Sequence, residues 1–307
     1  MIDLPLDQTA ERVLDEVTGS DRSVLVEHLW TRLRTEPTGM VAELVSRIDL
    51  PTSPTSIDRT VLLERAGREA ELYGDVTVRC EYLPLGWLRA LSDTDTGRGL
   101  ATAREKFQLL RADWALAQYE RLTPPPSTGD SDRPVVVLVA GVPGTGKSTV
   151  AERLGRVVNA PVFSMDWQLG AVVGFGVLRP DNRSPMAELM MTSAVARQLS
   201  LGMSAIIDAT GHTRAQRIQW RSITERMGGR FVGVECVCSD EKAQRSRLEA
   251  RSRGIPCWPD TVSWEHVQHM KKLWEPWEES HLLLDSAANS PEENLRRVLD
   301  LVEGAGQ

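Results

Sequence analysis

The chain has 307 residues, 41% of them hydrophobic, and a net charge of −7. That length predicts two domains with ample packed core, and the lack of any run of eighteen apolar residues excludes a membrane-spanning helix. The charge is uneven: residues 1–132 hold 15 Lys+Arg against 23 Asp+Glu and residues 133–307 hold 21 against 20, so neither part binds nucleic acid through bulk electrostatics.

The first residues, MIDLPLDQTAERVLDE, are acidic and lack an apolar stretch, which argues against a signal peptide. Cys80, Cys236, Cys238 and Cys257 are irregularly placed, and the single CxC has no second pair to complete a zinc site. The expectation is reduced thiols in a cytoplasmic protein. Residues 9–17, 23–34, 39–48, 57–74 and 101–122 carry apolar residues at three-to-four spacing, so a mostly α-helical domain is predicted over residues 1–121. It contains no catalytic motif. His28 is isolated and reads as a helix-surface residue; helical dimerisation into a homodimer is the expected role. Residues 122–134, LTPPPSTGDSDRP, read as a linker stiffened by proline and solvated by Ser, Gly and Asp.

From residue 135 to 307, strands and helices alternate. Strands are predicted at 133–140, 160–166, 203–211, 230–238 and 281–287. Helices are predicted at 147–159, 184–202, 213–229, 239–254 and 290–304. Ser184 and Pro185 suit the start of the second helix, and Ser239 or Asp240 can cap the fourth. The alternation predicts an α/β fold: a P-loop NTPase parallel sheet with helices on both faces.

Residues 141–148, GVPGTGKS, fit G-x-x-x-x-G-K-[ST]. A loop of that kind wraps a phosphate with inward-facing backbone N–H groups, and the helix behind it adds a positive end. Gly141, Val142, Pro143, Gly144, Thr145, Gly146, Lys147, Ser148 and Thr149 are therefore the expected ATP-binding residues. Lys147 reaches the β- and γ-phosphates, and the Ser148 hydroxyl ligates Mg²⁺. Asp208 follows four apolar or small residues and precedes a break, the place for the metal-side carboxylate; the plainer alternative is a helix cap. Asp166 closes a predicted strand, where a carboxylate can take a proton from an acceptor hydroxyl; the alternative is a turn residue. Arg247 and Arg251 are four apart on one helix face, spaced to clamp a transferring phosphoryl group, or simply solvated. Arg245 and Arg253 share that helix.

These features together resemble the small P-loop kinases that include polynucleotide kinase, zeta toxin and chloramphenicol phosphotransferase. The resemblance rests on GVPGTGKST, on IIDATGHTRAQRIQW at residues 206–220 and on RSRLEARSRGIPCWPDTVSWEHVQHM at residues 245–270, and covers residues 135–303. It implies that Asp166 is the general base, that Arg247 and Arg251 are lid arginines, and that Arg217 is the family's recurrent arginine beside the substrate. Polynucleotide kinases and zeta toxins usually carry an arginine two or three residues after the base. Here Asp166 precedes Trp-Gln-Leu-Gly, leaving Arg179 and Arg183 as the candidates for that role.

Trp167, next to the expected base, suits an aromatic wall for an acceptor. Trp264, Val267, Met270, Trp274 and Trp277 follow helical spacing and read first as a packed face, second as part of that wall. His266 and His269 read as surface residues, and Gly174–Gly176 as an acceptor loop. The expected activity is ATP- and Mg²⁺-dependent transfer to a hydroxyl of a small molecule or nucleoside. A 5′-hydroxyl polynucleotide kinase is the alternative within that class. A nucleotide-driven switch with a partner-binding N-terminal domain, or a zeta-type toxin, are alternatives outside it.

Overall fold

The computed structural model describes residues 4–37, 40–53, 55–73, 75–91, 97–119, 121–124, 133–179, 182–250, 254–259 and 262–303. The chain divides into two compact units, Met1–Trp114 and Ala115–Gln307.

In the first unit, α1 (Gln8–Val17) is capped by Asp7, whose side chain accepts from the Ala10 N–H. Then follow β1 (Ser23–Leu25), α2 (Val26–Arg34), α3 (Val41–Arg47), β2 (Ser56–Asp58), α4 (Arg59–Leu72), α5 (Tyr82–Leu91) and α6 (Gly97–Tyr119), whose last five residues fall beyond Trp114. The predicted helices at 23–34 and 57–74 begin instead as strands: β1 and β2 pair antiparallel, Val24 opposite Ile57. The core holds Trp30 against Trp87, edge to face at 6.2 Å, with Tyr82 and Phe107. Among the described residues of this unit, two carboxylates are fully buried. Glu36 is held by Arg12 and Arg32, and Glu69 by Arg89 and Arg104. Each is flanked by two guanidiniums because a buried charge is tolerated only when paired.

The second unit contains β3 (Val135–Ala140), α7 (Lys147–Val158), β4 (Val162–Ser164), α8 (Met165–Val173), α9 (Arg183–Ser200), β5 (Ala205–Ala209), α10 (Arg214–Arg226), β6 (Arg230–Val237), α11 (Glu241–Glu249), α12 (Trp264–Lys272), β7 (Leu282–Asp285) and α13 (Pro291–Glu303). Its strands form a parallel sheet in the order β4-β5-β3-β6-β7. Period-two alternation divides β3 between two cores. Val136, Leu138 and Ala140 pack with Met191, Val195, Trp220 and Ile223 of α9 and α10. Val137 and Val139 pack with Val150, Leu154 and Val298 of α7 and α13. Burial on both faces explains why β3 reads as an unbroken apolar run. The chain builds β4 and β5 on one side of β3 and then β6 and β7 on the other. The ligand crevice therefore opens at the carboxyl end of β3.

Three of the boundaries that differ from expectation bear on the site. Strand β4 stops at Ser164, so Asp166 lies in the first turn of a helix, where the macrodipole favours a carboxylate. Helix α9 starts at Arg183 with Asn182 at its N-cap and no side-chain cap, so Ser184 is already helical. Asp240 is the α11 cap, accepting from the Lys242 and Ala243 N–H groups, and α11 ends at Glu249.

Candidate active site

The loop between β3 and α7 is built around left-handed glycines. Gly144 and Gly146 both have φ of +85°, which a side chain would strain. A Cβ at residue 144 would also meet Gln244 Cγ at 3.0 Å. The loop is braced from inside by the Thr145 hydroxyl donating to Val142 O (2.8 Å) and from outside by Gln244 Nε2 donating to Pro143 O (2.8 Å). Gly146 is the N-cap of α7 and supplies no side-chain oxygen, and the first turn of α7 carries no acidic residue. A helix end of that kind favours an anion through its dipole and its leading N–H groups, with buried Lys147 and half-buried Ser148 in the same turn.

The sheet register sets Asp208 opposite Val139 of β3 on one side and Ser164 of β4 on the other. Adjacent strands lie about 4.8 Å apart, so the buried carboxylate is one strand from the start of the loop. The Gly141 N–H donates to Thr210 O at 3.1 Å, tying the loop to the end of β5. Asp166 is two residues beyond Ser164 and partly exposed. Hence Lys147, Ser148, Asp208 and Asp166 all come to the carboxyl end of three adjacent strands. The Ser148 hydroxyl and the Asp208 carboxylate are oxygen donors of the kind that could hold Mg²⁺.

The remaining expected residues scatter. Trp167 is 50% exposed beside Asp166. The Arg179 N–H donates to Asn182 Oδ1, and Asn182 Nδ2 to Val177 O, closing the turn before α9. Arg183 heads α9 with its guanidinium 5.5 Å from the Trp258 ring centre. Arg247 donates to Ser286 Oγ (2.8 Å) and Ser286 O (2.9 Å). Ser286 Cβ lies 3.5 Å from where a Gly146 Cβ would be, so Arg247 approaches the nucleotide loop through Ser286. Arg251, like Arg253, lies outside the described residues.

Arg217 is buried behind the end of β5. It is 1% exposed and donates to Gly211 O and Pro276 O, both at 2.9 Å, with its guanidinium 4.7 Å from the Trp277 ring centre. Its Nε is 3.8 Å from Glu279. The tryptophans after α11 behave as packing: Trp264, Met270 and Trp274 rest on Val142, Leu248 and Val267, and Trp277 joins the core beneath α9 and α10. Trp274 and Trp277 lie beyond the end of α12.

One residue not singled out from the sequence sits at the end of β5. His212 Nδ1 is 3.4 Å from Thr210 Oγ1, and His212 O accepts from the Glu275 N–H. Burial holds its imidazole below its ordinary value; Arg217 adds to that and Glu275 opposes it. A lowered folded value means the unfolded chain binds the proton more readily. The contribution of His212 to stability is therefore complete above pH 6.5 and is lost as pH falls through the lower folded value. Denaturant unfolding at several values between pH 5 and 7.5 should show stability rising with pH, by no more than about 1.4 kcal/mol per pH unit for one proton. His212→Gln should flatten that slope.

Residues 136–276 match the family model described as an AAA domain. Among solved structures, a sugar kinase from Janibacter sp. is 20% identical over 56% of this chain and 94% of its own, with a TM-score of 0.42. The Mycobacterium tuberculosis APS kinase CysC, in complex with AMPPNP and APS, is 21% identical over 59% and 99%, TM-score 0.42. Kti12 from Chaetomium thermophilum, in complex with ADP-AlF3, is 21% identical over 57% and 100%, TM-score 0.43. No curated protein matches the chain. Among the described residues no helix is long and apolar enough to cross a membrane.

Proposed function

We propose that the second unit is an ATP-dependent kinase that moves the γ-phosphate to a hydroxyl of a small molecule or nucleoside. The observation that carries this reading is the convergence of a complete phosphate loop with two carboxylates on neighbouring elements, Asp208 at the end of β5 and Asp166 at the head of α8. In this reading the backbone of residues 141–149 and Lys147 hold the phosphates. Ser148 and Asp208 would hold Mg²⁺, which neutralises charge on the transferring group when bound. Asp166 takes the proton from the acceptor hydroxyl as its oxygen attacks the γ-phosphorus, and the bond to the β,γ-bridging oxygen breaks with ADP as the leaving group. Arg247 serves the nucleotide side, while Trp167, Arg179 and Arg183 serve the acceptor side; Arg217 is left to the interior. The near balance of charge over residues 133–307, 21 basic against 20 acidic, favours a small acceptor over a long polyanion. Residues 1–121 are proposed as a separate helical domain that pairs two copies of the chain, joined by residues 122–134.

The test is incubation with γ-labelled ATP and Mg²⁺, alone and with pools of nucleosides, sugars, small antibiotic-like alcohols and 5′-hydroxyl oligonucleotides. Label entering a small-molecule pool is the expected result. Label entering oligonucleotides alone would move the acceptor to a nucleic-acid end. Phosphate release that ignores every pool would replace the kinase reading with a nucleotide-driven switch.

A further inference from the structure

Helix α8 carries a glycine in mid-helix, at residue 170, where alanine would make a better helix. The structure gives a reason for it. A Cβ on Gly170 would lie 2.8 Å from Pro256 O, 3.3 Å from Ile255 Cγ2 and 3.4 Å from Trp258 Cβ. Backbone oxygen at 2.8 Å leaves no room for even a methyl group, and the contact is made by a segment 86 residues later. Ile255 is buried in this seat, and the Trp258 N–H donates to Ile255 O at 3.2 Å, folding residues 255–258 into a turn. From the other side Arg183 of α9 lays its guanidinium over the Trp258 ring. The turn is thus gripped between α8 and the head of α9.

Gly170 follows Asp166 by four residues, so the two share one helix face, about 6 Å apart along the axis. Residues 255–258 therefore rest on the same face of α8 that presents Asp166. We propose that Gly170 is a positioning residue: it is the socket that seats residues 255–258 on α8, and that seating closes the acceptor side of the site over Asp166. The proposal rests on the kinase reading for its catalytic consequence, but the seating itself does not. A seated segment excludes water from beside Asp166 and so favours transfer over hydrolysis. Lifting it by the width of a methyl group misplaces the acceptor side without touching the phosphate loop.

The experiment uses the full chain and Gly170→Ala. Hydrogen exchange of the amides in residues 254–258, read by mass spectrometry without acceptor, reports the seat. Acceptor-dependent kcat, acceptor-independent ATP hydrolysis and the KM for ATP report the catalytic consequence. Faster exchange in that segment is expected, with kcat lower by roughly ten- to a hundredfold, a higher ratio of hydrolysis to transfer, and an unchanged KM for ATP. A merely structural glycine would lower kcat and raise KM together, or neither. Trp258→Ala removes the ring that Arg183 covers and should speed exchange in the same segment, which keeps the test in force should Gly170→Ala fold poorly. Exchange and kcat equal to the parent protein in a folded variant would overturn the proposal. Faster exchange in a chain that phosphorylates no acceptor pool would sink the kinase reading and its catalytic consequence while leaving the seat in place.

Discussion

Asp166→Asn should lower acceptor-dependent phosphoryl transfer by roughly 10²- to 10⁴-fold and leave ATP binding unchanged. Asparagine keeps the shape of the side chain at the head of α8 but cannot accept a proton. The phosphate loop is carried by β3 and α7, whereas Asp166 sits after β4, two strands away in the order β4-β5-β3. Removing its charge should therefore not reach the nucleotide. Initial rates against the identified acceptor, with an ATP titration of the same variant, measure both halves. A variant that transfers at the parent rate would remove Asp166 from the chemistry. One that loses ATP affinity in step with rate would move it to the nucleotide side.

Arg217→Met should cost stability rather than chemistry, on the order of 3 kcal/mol, which lowers the melting temperature of a unit of this size by roughly 6–12 °C. Arg217 joins four things: the turn at Gly211, the chain at Pro276, the ring of Trp277 and the carboxylate of Glu279. Burial raises the carboxyl of Glu279, but a backbone hydrogen bond, Arg217 and Arg214 together outweigh it and hold the group below its ordinary value. With Arg217 gone, two carbonyls lose a donor and a mostly buried carboxylate loses one of the two arginines beside it, and methionine fills only the space. Calorimetry of the variant reads the effect. An unchanged melting temperature combined with a raised KM for the acceptor would return Arg217 to the substrate, the role that the family resemblance implies for it.

What the sequence made legible was local. The phosphate loop is legible because its glycines, lysine and serine lie within eight residues, each required by the same short turn. Asp208 is legible because β5 is apolar up to it and stops one residue later. The alternation of strands and helices over residues 135–303 follows from unbroken apolar runs that only a sheet covered on both faces explains. The illegible parts depend on partners far along the chain. Gly170 looks like a weak helix residue until Pro256 is placed against it. Arg217 looks like a reactive arginine until the carbonyl of Pro276, 59 residues on, closes over it. Strand β1 is three residues long and exists because β2, more than thirty residues later, pairs with it; its own residues read equally well as the opening turn of α2. Asp166 reads from the sequence as the last residue of a strand, whereas β4 ends at Ser164 and Asp166 falls in the first turn of α8; at nine residues α8 is too short for its helical period to stand out.

Helix α7 opens on Gly146, a cap with no side-chain oxygen to offer its first turn. A phosphate anion that binds there completes the helix as well as occupying the site, and the two free energies are the same quantity. Heat resistance then becomes a ruler for nucleotide occupancy, worth about 2.7 kcal/mol at a hundred times the dissociation constant. Where nucleotide is abundant, the loaded form sets the lifetime of the fold, and mutations that weaken the cradle act first as losses of protein and only then as losses of rate.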